Sequence, residues 1–284
     1  MVTGAAGGIG TAFATRLAER GMDLALFDFD GERLAGLAEG LSGGGGRILT
    51  REVDVSDSDA LAQALDDVER EFGGVSLCAP FAALFSNLSL EERPRARALM
   101  HAVNVRHVEA CAEWTQNTAA RRGRDSHVLM TSSRAAVERS PTRYYAVTKA
   151  ELLGVASLVR ARGRRLGRHT GTQHRVTAAV LYPTRTRFGS SSARVWREHE
   201  GPEFPDASSL PELDDWLVEH GGSPEHVARV LFEAVRRRKR LVFVAPSRRI
   251  AMRDSMRLRV ANPILRHPVA RRVRRYRALK PRLQ

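Results

Sequence analysis

Short apolar runs and amphipathic helical patterns take turns along most of the chain, and this alternation limits the fold more than any other feature. After an opening "MVTGAAGGIG", apolar spacing from Ile9 to Leu17 reads as a helix, "DLALFD" as a buried strand and "GERLAGLAEGL" as a second helix. A glycine loop, Gly43 to Gly46, leads to strand "RILTREVDV" and helix "DSDALAQALDDVEREF". Then come strand "VSLCAPFA", a long helical region around "ARALMHAVNVRHVEACAEW", strand "HVLMTSS", another helix, and strand "RVTAAVLYP". Strands separated by helices cannot pair as hairpins; they pair in parallel through helical crossovers. The pattern therefore predicts an α/β fold, a Rossmann-type doubly wound parallel sheet with helices on both faces. The alternation breaks over 188–222, a Gly, Ser, Pro and Glu-rich stretch with Trp196, Phe204 and Trp216, and a loop that long in a compact domain is expected to be functional, here a lid over the substrate. A helix from about Pro224 and strand "RLVFVAP" complete a single domain over 1–246, followed by a basic tail, 247–284.

Charge is distributed unevenly. The chain carries +14 overall, yet from Arg229 onward 19 Lys+Arg face only Glu233 and Asp254, so the residues before it are slightly acidic. In the tail Val269, Val273, Tyr276 and Leu279 recur at helical spacing beneath Arg271, Arg272, Arg274, Arg275 and Arg277, and Met252, Met256 and Val260 repeat the arrangement more weakly. A helix of this kind either lies peripherally on an anionic membrane surface or docks its stripe on protein. Nucleic acid is not favoured, because the tail has one aromatic residue and no helix-turn-helix signal. No run approaches the ~18 apolar residues of a membrane span, and the opening has no charged-then-apolar leader, so a cytoplasmic protein is expected. Two cysteines and no Cys/His cluster of zinc-like spacing give no framework for a disulfide scaffold or structural metal.

The opening also carries chemistry. "TGAAGGIG" places Gly4, Gly8 and Gly10 where a first strand would turn into a helix, with Ile9 in its first turn. Glycines there let the backbone approach a pyrophosphate at a helix N-terminus. Asp28 ends the second strand, placed to accept a hydrogen bond from a ribose 2′-hydroxyl and to repel a 2′-phosphate. With no basic residue in the turn or directly beside Asp28, the pattern favours NAD over NADP.

In "SPTRYYAVTKAELLG" two tyrosines precede one of only three lysines in the chain. On a helix, residues four apart share a face and residues five apart diverge, so Tyr145, not Tyr144, faces Lys149. A nearby ammonium favours the ionised phenol and is expected to depress the tyrosine pKa.

These motifs, in this order, resemble the short-chain dehydrogenase/reductase family, of the classical type with a TGxxxGxG turn and a YxxxK site; the resemblance runs from about Met1 to Pro246. It implies an enzyme interconverting an alcohol and a carbonyl with a nicotinamide cofactor, with Tyr145 as acid/base and Lys149 also holding the cofactor ribose, and it implies a homo-oligomer. It further implies that Asp54, with Val55 beside it, meets the adenine, that Asn104 is the helix asparagine that holds a relay water, and that Thr186 touches the nicotinamide carboxamide. A serine of "TSS" would steady the substrate oxygen. Aligning the strand end gives Ser133, whereas counting the usual separation back from the tyrosine gives Ser132; Ser133 is preferred because a one-residue loop deletion is easier than a shifted strand register. The lid aromatics suggest an apolar small-molecule substrate, or else pack on the body.

Three features depart from the family pattern. "PFAA", Pro80 to Ala83, stands where NNAG is usual, and proline cannot donate to a ladder, so the local pairing must differ. "PT", Pro183 and Thr184, replaces PG, and only Met1, Val2 and Thr3 precede the glycine turn. These motivate an alternative reading, a catalytically degenerate dinucleotide-binding scaffold. "GLSGG" at Gly40 to Gly44 has the form of a nucleophile elbow but lies between a helix and the next strand, where an elbow cannot form. His101 and His107 are expected on a helix surface.

Overall fold

The alternation becomes seven parallel strands in the order β3-β2-β1-β4-β5-β6-β7. The computed structural model describes residues 1–88, 90–137 and 144–245, together with Ile250, Met252 and Asp254. The strands are β1 (Val2–Thr3), β2 (Leu24–Asp28), β3 (Ile48–Glu52), β4 (Leu77–Pro80), β5 (Ser126–Ser133), β6 (His174–Leu181) and β7 (Leu241–Val244). From β1 the chain winds outward to β3, then returns to place β4 on the other side of β1. The strand order reverses there, so the loops after β1 and β4 diverge and leave a crevice at the carboxyl ends of the strands.

Helices α1 (Gly8–Ala18), α2 (Gly31–Leu41) and α10 (Pro224–Arg236) cover one face, burying Phe13, Leu17, Leu34, Val227 and Leu231 with Leu24 and Leu26 of β2. The opposite face is covered by α3 (Ser58–Phe72), α4 (Pro94–His101), α5 (His107–Arg121) and α6 (Tyr144–Thr170). Helix α3 shows how locally these elements are encoded. The Asp57 carboxylate accepts from the amides of Asp59 and Ala60, Gly73 ends the helix with φ 69°, and Leu61, Ala64, Leu65 and Val68 repeat at helical spacing and are buried. Each leucine so buried stabilises the fold by about 1.5–3 kcal/mol relative to exposure. In α10 the hydroxyl of Ser223 caps the helix and Pro224 occupies the first turn, where its missing donor costs nothing.

Proline in β4 is accommodated by ladder geometry. The Ala79 and Phe81 amides donate to Met1 and Thr3 across the β1 side, at 2.9 and 3.1 Å. Pro80 therefore turns its nitrogen toward β5, but the β4–β5 register ends at Cys78. The missing N–H falls beyond the last paired position. β1 is as short as its sequence suggests, two residues, but is held on both sides by β2 and β4.

The segment 188–222 is not a loop. It forms α7 (Phe188–Glu200), α8 (Pro205–Ser209) and α9 (Glu212–His220). Its buried stripe on α7 is Gly189, Ser192, Ala193 and Trp196, which has helical spacing but too few large apolar residues to register as a periodic pattern. Asp214 of α9 caps α7, its carboxylate accepting from the Gly189 and Ser190 amides at 2.7 and 3.1 Å. Trp196 is fully buried, stacks on Phe204 with centroids 4.7 Å apart, and donates its indole N–H to the Phe85 carbonyl at 2.7 Å. Two of the three lid aromatics thus pack on the body, and Trp216 remains 46% exposed at the cleft.

Of the basic tail, the amphipathic stripe from Val269 to Leu279 lies outside the described residues. Asp254 is buried and accepts from the Tyr182 hydroxyl, with Arg134 at 3.7 Å, so this part of the tail meets the body beside the cleft. No helix among the described residues is long and apolar enough to cross a membrane.

Candidate active site

The crevice opens into a continuous cleft of about 1230 Å³ running from the glycine turn to Tyr145. At one end Gly4 adopts φ +63°, and a Cβ there would stand 2.7 Å from the Ala82 amide nitrogen. A Cβ on Gly8 would lie 2.7 Å from Cγ2 of Thr186, and one on Gly10 only 2.0 Å from the Gly4 carbonyl oxygen. The turn is therefore a cradle that any side chain would fill, and it leaves the start of α1, with Ile9, facing the cleft. That combination fits a pyrophosphate.

Asp28 accepts from the Ala6 amide at 2.8 Å with one carboxylate oxygen and from the Asp30 amide at 3.0 Å with the other, tying the glycine turn to the end of β2. Burial pushes its pKa up, against the hydrogen bonds that pull it down. Asp54 and Val55 line the same end of the cleft. Helix α7 reaches across to this region in a way the sequence did not announce. Arg194 pairs with Asp30 at 2.8 Å and lies over the Phe29 ring at 5.4 Å, while His199 approaches the Asp54 carboxylate at 2.9 Å. Arg33 also lines the cleft, 3.6 Å from Asp30. These side chains lie far from Asp28 in sequence or off its strand, and no periodicity links them to it.

At the other end, Tyr145 and Lys149 share one face of α6, as their spacing requires. The Lys149 ammonium sits 5.7 Å from the centroid of the Tyr145 ring and 3.5 Å from the Thr131 carbonyl oxygen. Ser133 lies beside the Tyr145 phenol, and its hydroxyl also accepts from the Ala135 amide at 3.2 Å. Ser132 is buried and spends its hydroxyl on the Lys149 carbonyl at 2.6 Å. Tyr144 lies outside this group, beneath the Arg97 guanidinium at 5.0 Å. Phe85 packs edge-on against Tyr145 at 4.9 Å, and Phe188 stands 6.2 Å from it, so the phenol is walled by rings that sequence reasoning missed.

The expected depression of the phenol pKa is not found. Burial pushes Tyr145 up to about 12 despite Ser133 beside it, and the same burial brings Lys149 down to about 8. Desolvation decides the direction of both shifts.

Asn104 lies in a π-helical turn, Ala102–Arg106, that joins α4 to α5. Its carboxamide is fully committed. The oxygen accepts from the Leu84 amide at 2.7 Å, and the nitrogen donates to the Leu84 carbonyl at 2.9 Å and the Thr148 hydroxyl at 3.0 Å. His107, expected on the surface, is instead 1% exposed and meets the Thr3 hydroxyl at 3.2 Å. It falls four residues after Val103 and four before Cys111, on the buried face.

The family profile described as Enoyl-(Acyl carrier protein) reductase matches residues 4–200, more than half of the chain. The chain belongs to the short-chain dehydrogenase/reductase family. Among its relatives is the 1-deoxy-11-beta-hydroxypentalenate dehydrogenase of Streptomyces exfoliatus, 29% identical over 196 residues, which are 65% of this chain and 66% of that protein. The chain spans less than two thirds of the length of the curated relatives it matches first. Two solved structures share the fold. A short-chain dehydrogenase/reductase from Burkholderia phymatum in complex with NAD has a TM-score of 0.77 at 23% identity, covering 93% of this chain and 94% of that one. A short-chain dehydrogenase from Sphingobium yanoikuyae in complex with NADPH has a TM-score of 0.71 at 19% identity, with the same coverage.

Proposed function

We propose that this short-chain dehydrogenase/reductase interconverts an alcohol and a carbonyl on an apolar substrate, with NAD as its preferred cofactor. The observation that carries the reading is the junction of Tyr145, Ser133 and Lys149 at the end of a cleft that begins at the glycine turn. In that cleft a bound NAD supplies a hydride acceptor, or its reduced form a donor. The chain's own residues do the rest. Gly4, Gly8 and Gly10 would admit the pyrophosphate, Ile9 and Val55 would supply apolar wall, Asp54 would hold the adenine end, Asp28 would accept from the ribose 2′-hydroxyl, and Thr186 would hold the carboxamide.

Tyr145 donates its phenolic proton to the carbonyl oxygen on reduction and takes it back on oxidation. The Ser133 hydroxyl holds that oxygen, and the Lys149 ammonium offsets charge building on the phenol. Asn104 acts as a positioning residue: its amide clamps the Leu84 backbone to Thr148 of α6 and so sets Phe85 against Tyr145. The apolar reading of the substrate rests on Phe85 and Phe188 beside the phenol and on Leu213, Trp216 and Leu217, which line the same cleft.

Tyr145→Phe is expected to reduce turnover at least ~10²-fold, the usual size of lost proton transfer, with cofactor affinity nearly unchanged, and Tyr144→Phe to be mild. A dead Tyr144→Phe enzyme would overturn the assignment. Calorimetric titration tests the cofactor: NAD should bind more tightly than NADP because Asp28 repels a 2′-phosphate. The opposite order would mean that Arg33 and Arg194 dominate this end of the cleft.

A further inference from the structure

A second cavity, of about 440 Å³, lies at the opposite end of the sheet from the cofactor cleft, where β6 and β7 begin. Its lining is cationic. Arg160, Arg164 and Arg168 recur every four residues along α6 and form one bank. Arg238 and Arg240, at the α10–β7 junction, form the other, and Thr172 and His174 contribute to the floor between them. Gly163 and Gly167 let α6 sit directly on that floor, since a Cβ on Gly167 would stand 2.3 Å from the Thr172 carbonyl oxygen and one on Gly163 2.8 Å from that of His174.

Two observations set this cluster apart from arginines that are merely solvated. First, none of the five has a carboxylate partner among the described residues, whereas Arg47, Arg121 and Arg236 elsewhere in the chain do; of the arginines that line the cavity only Arg175 is paired, with Asp125 at 3.3 Å. Like charges four apart on a helix oppose its formation, so the α6 ridge is unfavourable without a counter-charge. The partly buried Arg160 donates to the carbonyls of Val176 and Arg240 at 3.2 and 3.1 Å, which fixes one guanidinium between the banks. Its Nε is buried with no partner.

Second, Arg238 has φ 55°, a left-handed conformation that side chains other than glycine rarely adopt. It follows the end of α10, and the amides of Arg238 and Lys239 close that end on the carbonyls of Val235 and Ala234. Glycine is the ordinary residue at such a position. An arginine kept there is a backbone cost borne at the rim of the cavity, where a guanidinium adds to the field.

We propose that this cavity is a binding site for a compact anion bearing two or more phosphate groups, held between the α6 ridge and the α10–β7 junction. Guanidinium forks match phosphate oxygens in geometry and charge, and opposed banks of them favour a ligand with phosphates on both sides over a single monoanion. The site is separate from the cofactor cleft, because the eight residues of β6 place the two at opposite ends of a strand about 25 Å long.

Calorimetric titration of the full chain with tripolyphosphate, at constant ionic strength and with NAD present to occupy the cleft, tests the proposal. Saturable one-to-one binding is expected, weakened at least about tenfold in the double variant R164A/R240A, a change of about 1.4 kcal/mol. Both side chains are exposed, so melting temperature and turnover should stay at the wild-type values. Competition by phosphatidylcholine vesicles carrying phosphatidylinositol bisphosphate, but not by phosphatidylserine vesicles of equal charge, would identify the phosphates as a lipid headgroup. Binding of tripolyphosphate without such competition would identify a free polyphosphate. Binding that does not saturate, that is equal in the variant, or that duplex DNA matches phosphate for phosphate would overturn the proposal in favour of a diffuse basic surface.

Discussion

At the scale of single residues the two adjacent serines at the end of β5 separate cleanly. Successive residues of a strand face opposite sides, so one serine turns to the cleft and the other inward. Ser133 meets the Tyr145 phenol, and Ser132 gives its hydrogen bond to the Lys149 carbonyl. Ser133→Ala is therefore expected to lower kcat by ~10²-fold, with a loss of about 0.5–2 kcal/mol of stability at most, because its hydroxyl also caps the Ala135 amide. Ser132→Ala should do the reverse, costing about 0.5–1.5 kcal/mol of stability through the buried hydrogen bond it removes. Steady-state kinetics and thermal unfolding of both variants check this, and exchanged phenotypes would reverse the assignment. Tyr145, Lys149 and Asp28 were legible because a four-residue helical spacing and a strand end fix direction without tertiary information. The rise of the Tyr145 pKa was not, because it follows from burial by Phe85 and Phe188, which come from the loop after β4 and the start of α7, far away in the chain.

At the scale of elements, most helices and strands followed from period and capping, as Asp57, Gly73 and the α3 stripe show. Helix α7 escaped because its buried face is built from glycine, serine and alanine around one tryptophan. This is the element that joins the two halves of the cleft. Phe188 at its start stands by Tyr145, and Arg194 and His199 further along engage Asp30 and Asp54 at the cofactor end. Arg194→Ala is expected to raise the KM for the cofactor several-fold with a smaller effect on kcat, and to make that KM less sensitive to salt, since exposed ion pairs are screened. Kinetics at two salt concentrations check it; an unchanged KM would show that α7 only covers the cleft. Trp196→Ala, which empties a fully buried site, should cost about 3–5 kcal/mol.

For the molecule as a whole, buried histidines set the response to acid. Burial holds His107 down to about 3 and His127 down to about 4, so both are neutral in the folded chain. An unfolded histidine titrates near ~6.5. Stability is therefore complete above that pH, and it falls as the pH drops from there toward 4, because only the unfolded chain takes up the protons. The slope is at most about 1.4 kcal/mol per pH unit for each histidine. Thermal unfolding should show a melting temperature that declines between pH 7 and pH 5, and a flatter decline in His107→Gln; an equal slope in that variant would remove His107 from the account. The π-helical turn at Ala102–Arg106 acts on the whole chain in a different way, because it stores one surplus residue inside an otherwise continuous helix. Removing one of those five residues would restore regular winding and leave the flanking helices nearly in phase, because the wider turn spends five residues on the roughly 400° that four residues of ordinary helix cover. Ala96 and Met100, now fully buried, would keep their places in the core, but the widened turn that brings Asn104 to Leu84 and Thr148 would be gone. A deletion here would thus spare the packing of α4 and α5 and cost the chain its clamp on the loop that carries Phe85.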